Sequence, residues 1–191
     1  MDSIPFSICS AADPADKMSA NLRDVLGRQH DMAWKLLSYH LETLTTEECL
    51  WRPATAGLHV SHAAGNGWCA DWPEHEGYDL GPPSIAWLTW HACYWYAMLN
   101  DHTFGSAALA REQVRWPGGA DAVRGTLRKL HEEWRSAITR ATDAEWESQE
   151  RTRWPFRERS LADLVAWSTI ELTKSAAEIG YARFLYAARP R

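Results

Sequence analysis

Four stretches of this chain repeat apolar residues at the period of an α-helix, and alternation of period two is nowhere sustained, so the sequence is constrained to a bundle of helices. The first stretch runs from about Ala20 to Thr43, where Leu22, Val25, Leu26, Gln29, Ala33, Leu36, Leu37 and His40 recur at i, i+3, i+4 and i+7 spacing. The second follows Pro82 and Pro83, with Ser84 in the N-cap position, and reaches about His102; Ile85, Leu88, Ala92, Trp95 and Leu99 form its stripe. The third, about Ala120 to Ala141, sets Val123, Leu127, Leu130, Trp134 and Ala137 on one face and Arg124, Arg128, Lys129, Glu132 and Glu133 elsewhere. The fourth opens on a capping box, Ser160 with Asp163, and runs to about Ala187; it is the least polar of the four.

The connections read differently. Thr45 and Glu48 form a second capping box that opens a short helical turn closed by Pro53. Residues 54–83 are rich in Gly, His, Pro and Asp and lack helical periodicity, which predicts an ordered functional loop covering one end of the bundle. Trp72-Pro73, Trp116-Pro117 and Trp154-Pro155 all fall in connections, where proline stops a helix and the indole packs back on the bundle. The expected fold is all-α: a four-helix bundle, up-and-down or crossover, with long ordered connecting loops. A leader, residues 1–18, flexible or packed on the surface, precedes a single domain of residues 19–191.

Composition narrows the functional classes. A formal net charge of −5, with bases interleaved among acids, gives no footprint for nucleic acid. Cys9, Cys49, Cys69 and Cys93 are irregularly spaced, so neither a zinc ribbon nor a disulfide framework is expected. No stretch has the length of a membrane span, and the N-terminus lacks a basic region and an apolar run; a soluble, cytoplasmic protein is expected, with no membrane partner. Twelve tryptophans supply bulky, partly polar anchors, for core packing or for an aromatic-lined pocket. No Gly-rich phosphate loop, nucleophile elbow or Cys-His pairing is present.

At 100° per residue, Leu164, Ser168, Glu171, Ser175, Glu178 and Ala182 fall in one narrow arc of the fourth segment. Carboxylates in so apolar a stripe require a compensating partner, which Arg183, Lys174 or a metal would supply. Glu171 and Ser175, spaced i, i+4, stand one above the other on that face, and His91 flanks the apolar stripe of the second segment. Other histidines carry less information. His59 and His62, with Asp71, His75 and Glu76, have the look of a loop metal site but also of a common accident; His40 reads as an interior histidine, and His30, His102 and His131 as solvated flanks.

Ser84-Ile-Ala-Trp-Leu-Thr-Trp-His91 is similar to the Ser-Ile-x-x-Leu-x-x-His segment of the DinB and YfiT-like proteins, a superfamily of four-helix bundles that includes thiol-dependent transferases and isomerases. The stretch Glu171-Leu-Thr-Lys-Ser-Ala-Ala-Glu-Ile-Gly-Tyr-Ala-Arg183 resembles that family's final helix, with its small residues and late arginine. The resemblance covers residues 20–187. It implies a divalent metal, nickel or zinc, held by the helix-two histidine and an i, i+4 pair on the last helix, with an open position that activates water or a low-molecular-weight thiol. Carried over, the ligand positions are His91, Glu171 and Ser175, with Glu178 one turn further on.

Serine departs from that pattern, because a neutral hydroxyl is a poor ligand for zinc or nickel. Two readings follow. In one, His91 and Glu171, completed by Ser175 or Glu178 and water, hold a metal for transfer to, or hydrolysis of, a small electrophilic substrate. In the other, His91, Glu171 and Glu178 form a buried hydrogen-bonded cluster in a metal-free bundle that binds a small ligand or a partner chain. Ile170, Tyr181 and Phe184 lie away from the Glu171 stripe, so a homodimer is expected.

Overall fold

The computed structural model describes residues 14–65, 67–75 and 77–190, with side chains from residue 22 onward. Four long helices carry it: α1 (Pro14–Glu42), α3 (Ile85–Leu99), α4 (Ala120–Arg140) and α6 (Leu161–Ala187); short helices α2 (Thr46–Leu50) and α5 (Asp143–Glu147) sit in the connections. Hydroxyls start most of them. Thr45, Ser84, Thr142 and Ser160 each accept a backbone N–H from the third residue of the following helix, and Glu48, Glu145 and Asp163 return the bond to the cap.

The helices form a ring in which α1 touches α6 and α4, and α3 touches the same two. Cross-helix bonds fix the directions. His30 meets Thr169 and His40 meets Arg183, so α1 and α6 run parallel; Asp31 meets Arg135 while Leu41 meets Arg124, so α1 and α4 run antiparallel. Trp95 packs on Trp167 while the Lys174 charge bears on His91, so α3 and α6 are antiparallel as well. The chain is a crossover bundle, and the link from α3 to α4 must return along its length. Tryptophans hold that return in place: Trp90 Nε1 donates to the Val114 carbonyl at 2.9 Å, and the buried Trp116 donates to Thr89 Oγ1 at 3.0 Å. Trp87 Nε1 likewise donates to the Asp71 carbonyl, which ties the 54–83 connection to α3.

Several expectations need correction. The 54–83 connection contains a hairpin, β1 (Val60–Ala63) paired antiparallel with β2 (Gly67–Ala70) in the register Val60 to Ala70; four-residue strands are too short for alternation to be legible. Gly67 turns into β2 at φ 69°, a backbone region that favours glycine. α3 ends at Leu99 and continues as one π-turn, Asn100–Phe104. α1 begins at Pro14, earlier than the start near Ala20 that the periodicity suggests; residues 1–13, with Cys9, lie outside the described residues.

His30 and His131 are not solvated flanks but buried members of a network joining all four long helices. Thr169 donates its hydroxyl to the Val165 carbonyl at 2.8 Å, so it accepts from His30 Nδ1–H at 3.1 Å. His30 Nε2 is then left as the acceptor for Tyr96 O–H at 3.1 Å, and the Tyr96 oxygen accepts from His131 Nδ1–H at 3.2 Å. Trp34 stacks on His131 at 4.0 Å. Burial holds His30 down at about 3 and His131 at about 4, which keeps both neutral as this arrangement requires.

Candidate functional site

His91 lies on the inner side of α3, buried between two indoles: Trp87 stacks on its ring at 5.0 Å, and Trp95, one turn on, meets it edge to face. Trp95 Nε1 donates to His91 Nε2 at 2.9 Å. An indole nitrogen can only donate, so Nε2 is the bare nitrogen and the proton of the neutral ring sits on Nδ1. Burial, and after it the Lys174 ammonium, push His91 down to about 3. Its Nδ1 is buried and has no hydrogen-bond partner in the protein.

Across from it, α6 presents the other three candidate positions. Glu171 and Ser175, with Ser168 and Leu172, line a cavity of about 10 Å³ closed on the α3 side by Ala92, Trp95, Tyr96 and Leu99. That is the space of about one water molecule. Glu178 lies a turn further along and stands apart from the cavity lining; its Oε2 is buried without a hydrogen-bond partner, and burial raises its pKa. Lys174 joins the two carboxylates, its Nζ 3.8 Å from Glu171 Oε2 and 3.8 Å from Glu178 Oε2. Of the compensating partners the sequence offered, Lys174 fills the role at Glu171 and Glu178, whereas Arg183 pairs with the buried Glu48 at 3.0 Å.

The remaining histidines are dispersed. His59 Nδ1 is 2.7 Å from Ser84 Oγ, at the start of α3, and its backbone N–H donates to Asp71. His62 is exposed on β1 against Trp68, His75 is exposed beside Asp79, and Glu76 lies outside the described residues. His40 packs on Gly180 so closely that a Cβ there would come within 2.6 Å of the ring. The i+4 spacing of Trp95 from His91 places the two on one face, as a pocket-lining residue beside that histidine, but the hydrogen bond it donates to Nε2 was missed from sequence.

A family model described as the DinB superfamily matches residues 29–179, which takes in His91, Glu171, Ser175 and Glu178. The chain belongs to the DinB superfamily. No curated protein and no solved structure matches it. Membership implies a divalent metal, yet the donors of this DinB chain do not fit one as they are arranged. A metal needs a free lone pair from imidazole, and that of His91 is engaged: Nε2 accepts the indole N–H of Trp95, and Nδ1 carries the ring's own proton. Ser175 supplies a weak neutral oxygen, and the Lys174 ammonium stands against both carboxylates. Among the described residues, no three His, Cys, Asp or Glu side chains are grouped as a metal site would require.

Proposed function

We propose that this is a metal-free DinB-like bundle that binds a small ligand between α3 and α6, reaching from the cavity lined by Glu171 and Ser175 to His91, which lies outside that lining and acts as a hydrogen-bond donor. The observation that carries the reading is the Trp95–His91 bond, which fixes the imidazole as a neutral group with an unused Nδ1–H. A complementary ligand has an acceptor oxygen or nitrogen for that N–H and an apolar body for the indoles around it. The cavity admits about one water as it stands, so a larger ligand that extends from it to His91 must displace the Trp95 indole, which lines the cavity and bonds His91 Nε2. Metal-dependent activation of a thiol or water requires that same displacement before His91 can ligate.

Elemental mass spectrometry separates the two. Protein purified without chelators and then incubated with nickel or zinc is expected to stay empty. Near-stoichiometric metal that is lost on His91→Ala would overturn the proposal in favour of a metal-dependent enzyme. The ligand itself is sought by thermal shift against small carbonyl and hydroxyl compounds, in which a hit must lose its stabilising effect in His91→Phe.

A further inference from the structure

Among the described residues nine large hydrophobic side chains are exposed, and seven of them lie on α1 and α6: Leu22, Met32, Leu36 and Tyr39 on one, Ile170, Tyr181 and Phe184 on the other. They are not scattered. On α1, Leu22, Val25, Gln29, Met32, Leu36 and Tyr39 follow one another at alternating steps of three and four, the spacing of a helix-packing seam. On α6, Ile170, Thr173, Ala177, Tyr181 and Phe184 follow at steps of three, four, four and three, which keeps them on one face. Each row occupies an arc of about 100° that is distinct from the row facing the core. Two adjacent parallel helices thus carry a second, outward-facing seam each.

We infer that this face is the interface between two copies of the chain. Exposures of 67% for Met32, 70% for Tyr39, 65% for Ile170 and Tyr181 and 74% for Phe184 are those of residues awaiting cover. With Leu22 and Leu36 they leave on the order of 900 Å² in the open, close to the roughly 800 Å² that each partner contributes to a standard interface. The face is also complementary to itself. An open apolar groove of about 630 Å³ runs between Met32, Leu36 and Ile170, while Tyr39, about one to two turns further along α1, and Tyr181 and Phe184, about three to four turns further along α6, form an exposed ridge. A two-fold axis passing near Leu36 and Ala177 lays the ridge of one copy in the groove of the other, which is the condition for a closed, isologous dimer. Lys174 borders the groove and also holds Glu171 and Glu178, so the partner packs against the outer side of the candidate site.

Light scattering coupled to size exclusion at micromolar concentration tests this directly. The expected mass is twice the 21.7 kDa of the chain. Ile170→Glu and Met32→Glu, on different helices, are each expected to give the single-chain mass with unchanged far-UV circular dichroism, and Tyr78→Glu, away from the seam, to remain dimeric. A single-chain mass for the parent protein overturns the inference. So does a dimer that survives both Ile170→Glu and Met32→Glu, because its interface then lies elsewhere.

Discussion

At the scale of single residues, Trp95 decides what His91 can do. Its indole N–H occupies the nitrogen that a metal would need, and Ser175 withholds the ligand that would sit opposite. Trp95→Phe combined with Ser175→His removes the blocking donor and restores an i, i+4 pair with Glu171. That double variant is expected to take up nickel or zinc at near one equivalent by elemental mass spectrometry, where the parent takes up none; a double variant that stays empty would mean that Lys174, not Trp95, keeps the ion out. Much of this site was legible in the sequence. Helical arithmetic placed Glu171, Ser175 and Glu178 on one stripe, and Glu171 and Ser175 do share a cavity. The protonated nitrogen of His91 was not legible, because a tautomer is set by a partner's chemistry and direction, and these appear only once the indole has been placed.

At the scale of elements, the segment boundaries followed from local rules. Ser160 and Asp163 start α6 where their capping box predicted, and the helix ends at Ala187. The hairpin and α5 escaped because four or five residues carry too little periodicity, although Thr142 and Glu145 form a capping box of the same kind as the two recognised. His30 and His131 were misread for a different reason: a histidine at a helix flank looks solvated until a tyrosine from a third helix reaches it. Tyr96→Phe tests how much that network contributes. It leaves His30 Nε2 and His131 Nδ1 buried without partners, at a cost of about 1–3 kcal/mol for each unsatisfied group. A urea midpoint that does not fall in Tyr96→Phe would show the network to be energetically idle.

At the scale of the whole molecule, three buried neutral histidines set the response to acid. His30, His91 and His131 are held at about 3, 3 and 4, below the ordinary 6.5 that they regain on unfolding. Between those limits the unfolded chain binds more protons than the folded one, so stability is complete above pH 6.5 and is lost as pH falls below it. By pH 5 the loss is about 2 kcal/mol for each histidine, a large share of the roughly 5–15 kcal/mol typical of a domain. Urea midpoints that drop steeply from pH 7 to pH 5, and less steeply in His131→Phe, are the expected result; a flat profile would mean that these rings charge without disturbing the fold. The parallel pairing of α1 with α6 has a kinetic counterpart. The first and last long helices are neighbours, so the contacts that close the bundle span most of the sequence, and such distant contacts slow folding. During synthesis the side of α1 that packs on α6 stays uncovered until residues 161–187 have emerged from the ribosome, so the growing chain carries an exposed apolar row for as long as α4 is its one long-helix neighbour of the pair.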